Sequence, residues 1–290
     1  MSQRRLVLVP LDGSAGARAA LAAAARVAEF AGAEIIVLHV SEHPVEAGEL
    51  ADRLGRDQAL LERAELAQAT GRPAAEIVRA AAERQAWLIV MSSRGDAAWR
   101  QSLGSVTASV IQDSPCPVLV VRPDIPEAKR TLARLDRVLL PLDGSPGSAA
   151  AVAPAAELAR RASARLDLLH VATVGQAPPE ERGTMVGPRY LDAPQHEWPA
   201  WAQEFLQRFG PPPDAAGVRR VRLYAARGGV AEEVLRHASD LDSDLVAIAW
   251  HQTLAPARAE IVKRLIVDAR CPLLFVPTTR HPSRAPAGVP

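Results

Sequence analysis

Residues 6–14 read LVLVPLDGS, and residues 137–145 read RVLLPLDGS. Adding 131 to Pro10, Leu11, Asp12, Gly13 and Ser14 gives Pro141, Leu142, Asp143, Gly144 and Ser145. The same offset carries Leu38-His39-Val40 onto Leu169-His170-Val171. Each stretch is a short apolar run, as in a parallel strand buried on both faces. Each ends in Asp-Gly-Ser, which is turn and helix-capping chemistry. Two copies of one α/β domain are therefore expected. Where the halves differ, one can have kept a function that the other lost.

Working outward, half one alternates strand and helix. Strands are expected at Arg5–Leu11, Glu34–Val40, Glu65–Ala69, Trp87–Ser92 and Val118–Val121. Helices are expected at Gly16–Gly32, Val45–Arg63, Pro73–Gln85 and Val106–Asp113. Half two repeats the strands at Arg137–Leu142, Arg165–Val171, Val221–Ala225, Asp244–Ala249 and Leu273–Val276. The offset grows from 131 to 157 between its second and third strands, so about 26 residues are inserted within 172–218. This insert reads as a long proline-rich loop with one short helix near Trp198–Phe209. The pattern defines an α/β fold of two Rossmann-like domains, each a five-stranded, mostly parallel sheet with helices on both faces. Domain one is expected over 1–124 and domain two over 134–278, joined by a linker at Pro123–Leu132. The tail 279–290 is proline-rich, lacks a core pattern and is read as disordered.

Composition narrows the function. The 290 residues carry 34 basic and 33 acidic side chains, a net charge of +1. That balance gives no drive toward nucleic acid or an acidic membrane. No apolar run is long enough to span a bilayer. The chain enters a strand directly, with no signal-peptide pattern, so a cytoplasmic protein is expected. Cys116 and Cys271, each followed by proline, are too few for a disulfide framework. They read as small buried residues, with a redox pair across the two halves as the alternative. Only Lys129 and Lys263 are lysines, so phosphate must be held without them.

Ligands of such sheets bind at the carboxyl ends of strands where strand order reverses. After the fourth strand comes Met91-Ser-Ser-Arg-Gly95, then eight residues, then Gly104-Ser105-Val106. Glycines let backbone N–H groups approach phosphate closely. Gly104-Ser105 opens a helix whose amino end attracts anions, and Ser105 adds a hydroxyl donor. Together with VPLDGS, LHV, GRPAAEIV, GSVT and SPCPVLVVR, this segment resembles a tandem universal stress protein. The resemblance covers all but the insert and tail.

That resemblance implies binding of ATP or another adenine nucleotide, with or without Mg, by domain one. The residues it assigns are Pro10, Asp12, Val40, Ser92, Gly95, Gly104, Ser105 and Val106. Asp12 would lie near adenine or ribose, and Val40 would meet the base through its backbone. Two departures stand out from the G-x-x-G-x(9)-G-[S/T] pattern of nucleotide-binding members. Ser92 replaces the first glycine, and eight residues separate Gly95 from Gly104. In domain two the stretch is Ile248-Ala249-Trp250-His251-Gln252, then Ala259-Glu260, leaving Asp143 and Val171 as weaker site residues. A capping role alone is the competing reading of Asp12 and Asp143. His39 and His170 read as histidines at the core edge.

No G-x-G-x-x-G follows the first strand, and no P-loop or G-x-S-x-G is present. No His, Cys and carboxylate spacing suits a metal. Two functions remain open. One is a nucleotide-responsive stress protein with no catalytic residues, hydrolysing ATP weakly at most. The other is a non-nucleotide scaffold of the same fold, in which Trp198 and Trp201 anchor a partner or cover the second pocket. The resemblance also implies an internal pseudo-dimer related by a pseudo-twofold, with Val118–Val121 pairing Leu273–Val276. Further homodimerisation stays open, and no nucleic-acid or membrane partner is expected.

Overall fold

The computed structural model describes residues 5–46, 63–93, 103–172, 181–185, 198–211, 218, 220–250 and 256–278. Half one forms β1 (Arg5–Pro10), β2 (Ala33–Ser41), β3 (Glu65–Thr70), β4 (Leu88–Ser92) and β5 (Val118–Val121). Its helices are α1 (Ala15–Ala31), α2 (Pro73–Glu83) and α3 (Ser105–Asp113), and α4 (Glu127–Arg130) follows in the linker. Half two forms β6 (Arg137–Leu142), β7 (Arg165–Ala172), β8 (Arg220–Arg227), β9 (Leu245–Trp250) and β10 (Leu273–Pro277). Its helices are α5 (Pro146–Ala149), α6 (Val152–Arg161), α7 (Trp198–Phe209), α8 (Val230–Asp240) and α9 (Pro256–Asp268). The insert helix thus falls on the residues expected. The helix expected over Val45–Arg63 and the tail 279–290 lie outside the described residues, apart from Val45, Glu46 and Arg63.

The two half-sheets fuse into one ten-stranded sheet, ordered β3-β2-β1-β4-β5-β10-β9-β6-β7-β8. Every neighbouring pair is parallel except β5 and β10, which run antiparallel with Val118 opposite Phe275 and Val120 opposite Leu273. The fifth strands pair as expected, and each covers the backbone edge that the other would leave open.

Side chains alternate between faces along each strand. Val7 and Val9 pack with α1, and Leu8 packs to the other side. One layer holds α1, α6 and α7, and the other holds α2, α3, α8 and α9. Helix α1 is alanine-rich, so it forms at little side-chain entropy cost. Its small face lets it lie close on the sheet, where Ala20, Ala23, Ala24 and Val27 are fully buried.

The linker is part of the packed structure. Ile125 and Leu132 are buried. Lys129 Nζ donates to the carbonyls of Asp242 (3.0 Å) and Ser243 (3.2 Å) and pairs with Asp244 Oδ1 at 2.6 Å. Asp244 Oδ2 accepts from the N–H groups of Asp136 (2.8 Å) and Arg137 (3.1 Å). Arg122 closes the end of α9, donating to Ile266 O (2.9 Å), Ala269 O (3.0 Å) and Val267 O.

Both cysteines are buried and free. The β5–β10 register sets Cys271 opposite position 122, six residues from Cys116. That is about 20 Å along an extended chain, far beyond disulfide reach. Burial pushes the Cys116 thiol up to about 11 and the Cys271 thiol up to about 12. The redox-pair reading is therefore set aside. No described helix is long and apolar enough to cross a membrane.

Candidate functional site

From β1 the chain winds through β2 to β3 on one side, then returns through β4 to β5 on the other. Strand order thus reverses between β1 and β4, and in such sheets the ligand crevice lies at the carboxyl ends of these strands. Pro10 ends β1, and Val40 lies near the end of β2, two residues past Leu38, the partner of Pro10. Asp12 is exposed, and its Oδ1 accepts from Ser14 N at 2.9 Å. Ser14 performs the capping itself, its Oγ accepting from Ala17 N at 3.2 Å. Ser14 thus caps α1, while the exposed Asp12 carboxylate closes the turn onto Ser14 N.

The start of α3 is tied to the end of β4. Gly104 N donates to Ser93 O (3.0 Å), and Thr107 Oγ1 donates to Ser92 O (3.0 Å). No side chain caps this helix, and no acidic residue lies in its first turn. The first N–H groups of a helix have no partner within it. Those of Ser105 and Val106 therefore present partial positive charge at the crevice. Pro10, Asp12, Val40, Ser92 and Gly104 to Val106 are thus gathered on neighbouring elements. Gly95 lies outside the described residues.

Half two repeats the turn but covers it. Asp143 Oδ1 accepts from Ser145 N (2.9 Å) and Ser145 Oγ (2.6 Å). Gly144 adopts φ 81°, and a Cβ there would lie 2.2 Å from the Met185 carbonyl oxygen. Met185, from the insert, is buried and donates its N–H to Gly144 O at 2.8 Å. Glu181 Oε2 accepts from Gly147 N at 3.1 Å. Val171 is buried. Trp250 takes the position that Ser93 holds in half one, buried edge-on against Phe275 with centroids 6.0 Å apart. Helix α9 starts at Pro256, so Ala259 and Glu260 do not open it as Gly104-Ser105 were expected to be matched. His251 and Gln252 lie outside the described residues.

The histidines hold equivalent places. His39 Nδ1 bonds Leu11 O at 2.9 Å, and His170 Nδ1 bonds Leu142 O at 3.1 Å. In half two the insert helix covers this ring, with Trp201 and Phe205 centroids at 5.1 and 5.5 Å from His170. Of the two roles open to Trp201, partner anchor or cover for its own domain, the structure shows it packed on its own domain. Nothing in the proline-rich sequence signals that residues 181–185 seat on Gly144.

Burial holds the His170 pKa below its ordinary 6.5, against the Leu142 carbonyl bond and the Asp143 charge, which raise it. The unfolded chain therefore takes up this proton at higher pH than the folded one. The associated stability is complete above 6.5 and is lost as pH falls through the lower folded value. His170→Gln is expected to flatten the dependence of unfolding temperature on pH between about 7 and 5. An unchanged slope would refute this.

The universal stress protein family model matches residues 3–122 and again 134–277. The chain belongs to the universal stress protein family and carries two copies of its domain. A universal stress protein of Thermus aquaticus is 38% identical over 141 residues, covering 41% of this chain and 98% of its own length. The universal stress protein YxiE of Bacillus subtilis is 33% identical over 144 residues, covering 40% of this chain and 97% of its own. Each is thus one half-chain long. A solved universal stress protein of Archaeoglobus fulgidus shares the fold across both halves. Its TM-score is 0.65 at 18% identity, covering 95% of this chain and 99% of that one.

Proposed function

We propose that half one binds ATP or another adenine nucleotide in the crevice between β1 and β4, and that half two does not. The observation that carries this is the uncapped, acid-free start of α3, tied to the end of β4 where strand order reverses. The N–H groups of Ser105 and Val106, with the Ser105 hydroxyl, serve the phosphates. Asp12 serves the ribose or base, Pro10 and Val40 border the base, and Ser92, Gly95 and Gly104 leave room for the phosphate chain. Mg, where bound, rides on the phosphates.

The protein is a cytoplasmic binding and regulatory protein with domains at 1–124 and 134–278, and ATP hydrolysis is weak at most. Protein purified without added ligand should release an adenine nucleotide on denaturation, read by mass spectrometry. Ser105→Glu places a carboxylate at the donors and should weaken ATP-Mg binding about tenfold or more in calorimetry. No released nucleotide and no heat with ATP-Mg would overturn the reading, leaving a non-nucleotide scaffold of the same fold.

A further inference from the structure

The first residues of β6, β7 and β8 stand side by side: Arg137 is opposite Arg165, and Arg165 is opposite Arg220. Neighbouring strands lie about 4.8 Å apart, and like charges directly opposite destabilise a sheet. Val138, Leu166 and Val221 pack toward α6 and α7, so these arginines lie on the other face. Two residues further along the strands, Leu139, Asp167 and Arg222 are in line. Three guanidinium groups, of Arg137, Arg222 and Arg165, act on the Asp167 carboxylate, and Arg220 ends the row.

Asp167 alone cannot balance the four arginines. It is 1% exposed, and its Oδ2 lies 3.4 Å from Arg137 Nε with no hydrogen bond. Burial raises its pKa, while Arg137, Arg222 and Arg165 pull it back. Arg137 also donates to Leu241 O, and Arg222 bonds the Tyr224 side chain. Arg165 and Arg220 make no side-chain hydrogen bond or ion pair with any described residue. The nearby acids Asp242 and Asp244 are engaged by Lys129.

Half one shows that the fold does not require this arrangement. Its equivalent residues are Leu6, Glu34, Ile36, Arg63 and Glu65, with Glu65 paired to Arg84 at 3.0 Å. The formal charge of the five positions changes from −1 (two Glu, one Arg) to +3 (four Arg, one Asp). Strands β1 and β6 are five strand positions apart, about 24 Å. The arginine row is thus separate from the nucleotide crevice of half one.

We propose that Arg137, Arg165 and Arg220 form a second anion site, for a phosphoryl chain of the tripolyphosphate type. The row spans about 10 Å, so one phosphate group reaches only part of it and a chain engages all three. Arginine forks suit phosphoryl oxygens. Arg137 is held by Asp167 and Leu241 O, while Arg165 and Arg220 have no side-chain hydrogen bond or ion pair among the described residues.

The test titrates the full chain with sodium tripolyphosphate, and separately with inorganic phosphate, at ionic strength fixed by sodium chloride. Calorimetry should show tripolyphosphate binding that survives Ser105→Glu. It should weaken about tenfold or more in Arg165→Gln/Arg220→Gln. Inorganic phosphate should bind more weakly than the chain. The ligand-free double variant should unfold at the same temperature or higher, because removing repulsion separates loss of the site from loss of the fold. Equal affinity in the double variant would overturn the proposal. So would loss of binding in Ser105→Glu alone, which would locate the anion in half one. A silent titration would also overturn it, whatever the outcome with ATP-Mg.

Discussion

Asp244→Ala is expected to lower the unfolding free energy by about 3 kcal/mol, the scale for removing one partner of a buried ion pair. The carboxylate is mostly buried and serves three donors: Lys129 Nζ, Asp136 N and Arg137 N. Without it the ammonium and two backbone N–H groups lose that acceptor in a partly closed environment. Desolvation lowers the Lys129 pKa, but its bonds to Asp244 and Asp242 raise it overall, so the amine stays charged. Lys129 belongs to the linker, so the loss loosens the junction between the halves as well as the α8–β9 turn. Urea unfolding checks the size, and a change under about 1 kcal/mol would show that water replaces the clamp at little cost.

Phe205→Ala is expected to cost about 4 kcal/mol, the range for emptying a buried aromatic site. The ring is fully buried, 4.8 Å from Trp201, 5.1 Å from Phe209 and 5.5 Å from His170 by centroid. It is the largest fully buried side chain of α7. Its loss should free the helix before the sheet melts, because α7 lies in the β7–β8 crossover, which carries about 26 more residues than its counterpart in half one. Hydrogen exchange of the segment 198–209 should rise, with β1 to β5 unchanged. Uniform acceleration across both halves would instead make the insert integral to the whole fold.

The repeat was legible because strand and turn chemistry is local. LVLVPLDGS and RVLLPLDGS each carry an apolar run and a capped turn within nine residues, and both form the strand and turn they encode. Trp198–Phe209 was legible for the same reason, since its apolar spacing is helical. Pro10, Asp12, Ser92 and Gly104 to Val106 were assigned through the family resemblance. That Asp12 stays exposed appears only in the turn geometry. Whether Trp201 anchors a partner or covers its own domain stayed open in the sequence, because an aromatic residue in a proline-rich loop looks the same whether it faces out or in.

By itself, the order of residues determined two α/β copies, their strands and helices, and which half kept a glycine-serine helix start. Folding alone decided that residues 181–185 close over Gly144, that Lys129 clamps the α8–β9 turn, and that Arg137, Arg165 and Arg220 line up. Local patterns act over a turn or a strand, within reach of neighbouring residues. Arg165 and Arg220 are 55 positions apart, and only the register of β7 against β8 brings their charges face to face.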